Sequence, residues 1–307
     1  MSALCAVRRL KEEKNMRKAV AVACSDIHLS DKAPVARAGE PDWHGKQREA
    51  LAFITSTARK LVVPVLMAGD LFHNARATPA MEILAMQAFK GVDMIKIPGQ
   101  HDLPNHKIEN ADKGSYGVFT EYHKLSGGDP VDLVIAEFPY GAEFRGSYSP
   151  DAIAMIHHLV WQGKPPYPGA PEEGNVSEIV KRLPGYQFIV AGDNHKGFTC
   201  KVGDTTVVNC GSMMRRTADQ EDYKPRCYVL YDNGDAEPVY LPIEDDIFTR
   251  EHRDDKIERD ARVSAFVSKL KDIEVELSFE GNLDRFCKAN NVDSEIVELI
   301  QEAINGS

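Results

Sequence analysis

A layered α/β sandwich with mixed sheets, followed by a short helical C-terminal appendage, is the fold class the sequence predicts. Three observations carry that expectation. Apolar runs alternate with segments of helical periodicity through the first third of the chain. Apolar strand-like runs then dominate up to about residue 245. Beyond that point the composition turns to charged residues with apolar stripes at helical spacing.

The elements follow in order. Ala19-Val20-Ala21-Val22-Ala23-Cys24 is an uninterrupted apolar run and reads as a buried first strand. Before it, residues 1–17 read as a preface, with a charged stretch from Arg8 to Lys14 that carries no partner pattern. Gln47 to Leu61 places Ala50, Leu51, Ile54, Ala58 and Leu61 on one helical face. Val62 to Met67 reads as a second strand with Pro64 near its start. Thr78-Pro79 supplies an N-cap and a first-turn proline for a second helix that runs to about Lys90. Val92 to Ile97 is a third strand. Further strands are expected at Val131–Glu137, Ala152–Ile156, Gln187–Ala191, Thr205–Asn209 and Cys227–Tyr231. The stretch from Pro139 to Pro184 is rich in Gly and Pro and reads as a long surface loop. The domain reading is therefore a preface at 1–17, an α/β domain at 18–245 and a helical appendage at 246–307. Val263, Phe266, Val267 and Leu270 form one stripe of that appendage, and Ile296, Leu299, Ile300 and Ile304 another.

Composition narrows the function. The chain has 307 residues, 43% apolar and 27% charged, enough for one large core with an appendage. Its formal charge of −10 argues against coating nucleic acid by bulk electrostatics, and leaves room for local contact through a basic patch or bound cations. Residues 246–307 hold 9 basic and 15 acidic side chains, which does not read as a DNA-binding tail. No apolar run approaches the roughly 20 residues needed to cross a bilayer, and no secretory signal precedes the first strand. A soluble, cytoplasmic protein is the expectation. The six cysteines are scattered with no zinc-knuckle or redox spacing, so no disulfide framework is expected.

Four segments place Asp, His or an amide directly after an apolar strand, where a loop presents them at the sheet edge. They are Ser25-Asp26-Ile27-His28, Gly69-Asp70-Leu71-Phe72-His73, Gly99-Gln100-His101-Asp102 and Gly192-Asp193-Asn194-His195. His157-His158 ends a fifth apolar run. Asp26 and His28 lie two apart, which in a strand puts both on one face. Mixed carboxylate and imidazole ligands suit divalent Mn, Fe or Zn, and a carboxylate can bridge two ions. Two such ions clamp the attacking and leaving oxygens of an in-line phosphoryl displacement. Each segment alone reads as turn chemistry, Asp102-Leu-Pro included. The ordered set is far more specific.

That set resembles the calcineurin-like metallophosphoesterase superfamily, whose pattern runs Asp-x-His, Gly-Asp-x-x, Gly-Asn-His-Asp, a strand-end His and Gly-His-x-His. The resemblance covers roughly residues 18 to 245. Gly69-Asp-Leu-Phe-His73 and Asp26-Ile-His-Leu29 are similar to the SbcD and Mre-eleven DNA-repair nucleases. Trp43 to Ala50, Gly211-Ser-Met-Met-Arg-Arg216 and Lys224-Pro225 resemble further segments of that family. The resemblance implies two metal sites: Asp26, His28 and His195 at the first, Asp70 bridging, and Gln100, His157 and Asp193 completing the second. It implies that His101 protonates the leaving oxygen or stabilises the transition state, and that His73 orients the phosphate. The cofactors it implies are two divalent ions, Mn2+ foremost, with Mg2+ or Fe2+ as alternatives. The partners it implies are DNA, a second copy of the chain in a homodimer, and an SbcC-like SMC ATPase. In size the chain is similar to the compact nucleases of phages or their hosts.

Two positions depart from the pattern. Gln100 stands where the family has Asn, and Asp193 stands where it has the first His of Gly-His-x-His. Both can ligate through oxygen, which makes the second site more anionic and tilts it toward Mn or Mg over Zn. The leading expectation is a DNA nuclease. A phosphodiesterase or phosphatase acting on small nucleotides is the first alternative, and a non-catalytic scaffold of the same fold the second. Within the His157-His158 pair, the resemblance implies the first as the ligand, and its neighbour should then point to the opposite face of the strand. His44, His106, His123 and His252 read as ordinary surface or loop histidines. Arg215 and Arg216 read equally as phosphate contacts or as a solvated pair near a turn.

Overall fold

Alternation along the first strand sets the layering. In β1 (Ala19–Cys24), Ala21 and Ala23 face one side, Val22 and Cys24 the other, and all four are fully buried. The computed structural model describes residues 17–126, 132–144, 150–167 and 169–249, with scattered positions between 287 and 297. After β1 come α1 (Trp43–Leu61), β2 (Val65–Ala68), α2 (Pro79–Phe89), β3 (Met94–Ile97), α3 (Ser115–Ser126), β4 (Ile135–Phe138) and β5 (Ile153–His157). Then follow α4 (Val176–Arg182), β6 (Phe188–Gly192), β7 (Phe198–Val202), β8 (Thr205–Asn209), β9 (Arg226–Tyr231) and β10 (Ala236–Tyr240).

Two five-stranded sheets result, ordered β10-β9-β1-β2-β3 and β4-β5-β6-β8-β7. Both are mixed. β1, β2 and β3 run parallel, β9 pairs antiparallel with β1, and the edge strand β10 pairs antiparallel with β9. β4, β5, β6 and β8 run parallel with β7 antiparallel. Between the sheets, the small side chains of Ala21, Ala23 and Ala68 meet Met155, Phe188, Val190 and Val208. On the far side of the first sheet, Val22, Val65 and Met67 pack under Leu51 and Ile54 of α1, Leu84 of α2 and Phe119 of α3. On the far side of the second, Ala154, Ile156, Ile189 and Val207 pack against Ile179 of α4, Leu183 and Tyr186. The layered α/β sandwich with mixed sheets is therefore the observed architecture.

Several boundaries differ from the sequence reading, each for a local reason. The second strand starts at Val65 because Val62 is the left-handed C-cap of α1, its N–H donating back to Ala58 and Arg59 carbonyls. The stretch from Pro139 to Pro184 is not one long loop: besides β5 it contains α4, which Asn175 caps by accepting from the Ser177 N–H at 2.9 Å. β7 and β10 escape pattern reading because both are partly exposed edge strands, and Pro238 sits in β10 at the outermost position of its sheet.

The chain divides into two compact units, Met1–Thr249 and Arg250–Ser307. Residues 246–249 belong to the first. Asp246 pairs with Arg37 at 3.0 Å and Arg215 at 2.8 Å, and the Thr249 N–H donates to the Ala36 carbonyl at 2.8 Å. The residues expected to form the preface, up to 16, lie outside the described residues, as do the stripe at 263–270 and Leu299, Ile300 and Ile304. The five cysteines among the described residues are free. Among the described residues, no helix is long and apolar enough to cross a membrane.

Val62 is a β-branched residue at φ +55° and 89% exposed, so its side chain contributes little to offset the left-handed backbone. Val62→Gly is expected to stabilise the protein by about 1 kcal/mol, the cost of a left-handed turn for a residue with a Cβ. Urea unfolding should show a higher midpoint with an unchanged slope; an equal or lower midpoint would sink the account.

Candidate metal centre

Every candidate ligand leaves the carboxyl end of a parallel strand or the loop just beyond it, and both sheets contribute. Asp26 and His28 follow β1, Asp70 follows β2, Gln100 and His101 follow β3, His157 ends β5, and Asp193 and His195 follow β6. The first two loops run side by side: the backbone N–H groups of Asp26, His28 and Leu29 donate to the carbonyls of Gly69, Asp70 and Leu71 at 2.9–3.0 Å. The ladder of β1 and β2 thus continues past the strands, and the loops inherit their register.

Asp26 and His28 converge, but not as neighbours on an extended strand. Both sit at φ +51°, so the chain zigzags through left-handed positions. Asp70 at +55° and Asp193 at +85° share this conformation, so among the described residues four of the seven non-glycine residues with positive φ are candidate ligands. Such backbone strain persists where the surroundings hold it, typically at functional sites. Packing around it is tight. A Cβ at Gly69 would overlap the His157 ring, and one at Gly99 would overlap the Asp70 carboxylate.

Asp70 lies at the middle. Its Oδ1 accepts from the His101 N–H at 2.9 Å. Its Oδ2 is 3.6 Å from His28 Nε2 and 3.5 Å from His157 Nε2, buried and without a hydrogen-bond partner. On one side, Asp26 Oδ1 is 3.9 Å from His28 Nε2 and 3.8 Å from His195 Nε2, and the two Nε2 atoms are 3.1 Å apart. On the other stands His157, whose Nδ1 faces the Ala68 carbonyl at 2.7 Å, which directs Nε2 toward Asp70. Ligand atoms of Asp26, His28 and His195 form one converging group, those of Asp26, Asp70 and His157 a second, and those of His28, His73 and His101 a third. His157, not His158, enters the cluster; the His158 ring lies against Phe144.

Titration follows from this crowding. Burial lowers the His157 pKa, but the facing Asp70 carboxylate overrides it and holds the imidazole up at about 10. Burial, and then the neighbouring His195, push His28 well below its usual value. Burial and Arg216 bring His73 down to about 4. Burial raises Asp26, against the pull of His157 and His195. The buried carboxylates of the cluster thus favour positive charge beside them. A divalent ion answers the same need. The buried and unpartnered Asp70 Oδ2, His157 Nε2 and Gln100 Oε1 are the donor atoms such an ion requires.

Gln100 and Asp193 behave differently from the rest. The Gln100 amide donates to Asp193 Oδ1 at 2.7 Å, so these two candidate ligands are bonded to each other. Asp193 belongs to none of the converging groups. Its backbone N–H instead donates to both oxygens of Asp26 at 3.1–3.2 Å. His73 and His101 stack with ring centroids 5.4 Å apart, and His101 Nδ1 faces the His73 carbonyl at 2.9 Å. His106 Nδ1 faces the Gln100 carbonyl at 2.9 Å, His123 that of Val92 at 3.0 Å and His44 that of Asp31 at 3.0 Å. His252 lies outside the described residues.

Three supporting residues were not singled out by the sequence reading. Asp102, taken as turn chemistry, is fully buried and accepts backbone N–H groups from Leu71 at 3.3 Å, Phe72 at 2.9 Å and Gly99 at 3.0 Å. Burial, and then Asp70, push its pKa up to about 7. Asn209, ending β8, donates to the carbonyls of Asn194 and Lys196 and fixes the loop that carries His195. A polar residue closing an apolar strand is the signal that marks it. Ser25 donates to Asp26. Arg215 and Arg216 are not a solvated pair: Arg215 is held by Asp246 and the Glu221 carbonyl, and Arg216 donates to the His28 carbonyl at 2.9 Å and Ser30 Oγ at 3.2 Å.

Two outcomes are expected. Asp102→Ala leaves buried N–H groups unpaired and should cost on the order of 3 kcal/mol in denaturant unfolding of the metal-free protein, against a smaller loss for Asp102→Asn. Asp70→Asn should lower the divalent metal retained after dialysis, relative to the wild type, because the buried acceptor loses its charge. Full occupancy in that variant would remove Asp70 from the centre.

No family model matches the chain, and no curated protein matches it. Solved structures do resemble it. An archaeal phosphodiesterase is 10% identical, over 72% of this chain and 99% of that one, with a TM-score of 0.39. A single mutant of Vps29 from Entamoeba histolytica is 14% identical, over 72% and 99% of the two chains, with a TM-score of 0.33.

Proposed function

We propose that this chain is a divalent-metal-dependent phosphodiesterase and that its substrate is DNA. The observation that carries the reading is Asp70: one fully buried carboxylate oxygen, without a hydrogen bond, between two imidazole Nε2 atoms that belong to opposite halves of the cluster. That is the disposition of a ligand shared by two cations. Asp26, His28 and His195 would hold one ion and His157 the other, with Gln100 and Asp193 beside the second. Two divalent ions at such a site neutralise phosphoryl oxygens and acidify water. The resemblance of the ordered motifs to SbcD and Mre-eleven supports DNA over other phosphodiesters, and the proposal extends to their cofactor preference, Mn2+.

The chain's own groups supply the remaining chemistry. With Nδ1 donating to the His73 carbonyl, His101 turns its other ring nitrogen to the centre, where it would stabilise the departing oxygen or, as the imidazolium, protonate it. His73, stacked on that ring, would orient a phosphate oxygen. The formal charge of −10 opposes DNA, and two ions contribute about +4 locally. Binding by the isolated chain should accordingly be weak and fall with salt. A homodimer and an SbcC-like ATPase, engaged through residues 246–307, belong to the same proposal. One observation favours a non-catalytic scaffold instead: Gln100 and Asp193 bond each other and draw two ligand positions aside.

Hydrolysis of labelled single- and double-stranded DNA and of bis-p-nitrophenyl phosphate, with Mn2+, Mg2+ or no metal, separates these readings. Mn2+-dependent cleavage of DNA is expected, with His101→Ala slowing turnover by about 10²–10⁴-fold at unchanged metal content. Cleavage of the small diester alone would move the substrate to small nucleotides. Full metal loading without turnover on any diester would leave the scaffold.

A further inference from the structure

One of the three converging groups contains no carboxylate. His28, from the loop after β1, His73, from the loop after β2, and His101, from the loop after β3, each place a ring nitrogen within 4.8 Å of the other two. Their ring centroids are 4.8, 5.4 and 5.6 Å apart, with the His28 ring at 76° to His73 and 89° to His101. Imidazoles around one tetrahedral Zn2+, at Zn–N distances of about 2.1 Å, stand with ring centres roughly 5 Å apart. The trio already has that spacing. Both other groups include Asp26.

Hydrogen bonding leaves these rings able to ligate. His101 Nδ1 donates to the His73 carbonyl at 2.9 Å, so Nε2 of the neutral ring keeps its lone pair. His28 is 2% exposed, and its Nδ1 and that of His73 are buried without a hydrogen-bond partner. Buried ring nitrogens in that state call for a ligand. Three neutral nitrogens are a softer donor set than the oxygen-containing groups beside them, and favour Zn2+ or Cu2+ over Mg2+ or Mn2+. His73 also lines a groove of about 710 Å³ with Lys32, Arg76 and Arg216. That groove gives an ion a route from solvent and leaves room for a fourth ligand, a water or a small anion.

We propose that His28, His73 and His101 form a separate site for a nitrogen-preferring ion, Zn2+ above all, and that its filling excludes the two-ion arrangement because His28 serves both. An ion there withdraws His28 from the group it shares with Asp26 and His195. It also engages His73 and His101, the two rings assigned to the phosphate and the departing oxygen. Zinc thereby holds the protein in a state closed to hydrolysis. The site stands apart from the phosphodiesterase reading, and only its inhibitory effect rests on it.

The test is competition for Zn2+ between the metal-free protein and a chromophoric chelator, with His73→Ala, His101→Ala and His195→Ala beside the wild type. The first two variants should each weaken zinc binding about tenfold or more, and His195→Ala should stay within about twofold of the wild type. Unchanged affinity in His73→Ala, or a loss in His195→Ala as large as in the other two, overturns the site. A second arm uses the wild type alone: electron paramagnetic resonance after one equivalent of Cu2+ should show coupling to three nitrogens. Coupling to two or fewer overturns the site whatever the variants do. Where Mn2+-dependent hydrolysis is present, one equivalent of Zn2+ should abolish it, and turnover sustained with zinc bound overturns the exclusion. Absence of hydrolysis with every metal defeats the phosphodiesterase reading by itself, and the two binding arms then decide the zinc site.

Discussion

Buried negative charge at the ends of parallel strands is the constraint on which the rest of this structure depends. Asp26, Asp70 and Asp102 are all fully buried, and Asp70 lies close enough to raise the cost of charging Asp102. Carboxylates in such surroundings persist only when hydrogen-bonded or paired with cations. Backbone N–H groups meet part of the demand: Asp193 for Asp26, His101 for Asp70, and three groups for Asp102. What they leave is one face of negative charge turned toward the imidazoles of His28, His157 and His195.

These hydrogen bonds also hold the loops to one another. Asp102, from the loop after β3, binds backbone in the loop after β2. Asp70, from the loop after β2, binds backbone in the loop after β3. Asp193 from the second sheet binds Asp26 from the first. Each loop is thereby fixed by a carboxylate it does not carry. The positive φ angles at Asp26, His28, Asp70 and Asp193 are affordable only within such reciprocal support. Candidate ligand positions set this way would need little reorganisation to bind a cation.

Arg215 and Arg216 show how the same economy distributes positive charge. Adjacent in sequence, they are sent to different tasks. Arg215 closes on Asp246 and binds the end of the first unit to its core. Arg216 passes behind His28, reaches its carbonyl, and has no carboxylate of its own among the described residues. A net acidic surface and a locally cationic groove are therefore compatible, because the pairing is spatial rather than compositional.

The sequence by itself determined the layered α/β class, the core strands and the loops that carry the candidate ligands, because apolar periodicity and a polar residue at a strand's end are local signals. Ala19–Cys24 and Thr205–Asn209 are legible for that reason, and so are Asp26, His28, Asp70 and His157 as candidate ligands. It did not separate structural from candidate chemical roles among the remaining polar residues. Asp102 looks like any turn aspartate until three backbone N–H groups from two loops are found on its oxygens. Gln100 and Asp193, 93 positions apart, become one hydrogen-bonded pair only when β3 and β6 are brought to the same edge. The edge strands β7 and β10 carry weak patterns because half their side chains meet solvent. Only the tertiary structure decided which polar groups meet, since hydrogen bonds and ion pairs depend on distances of a few ångströms between segments that sequence order leaves unrelated.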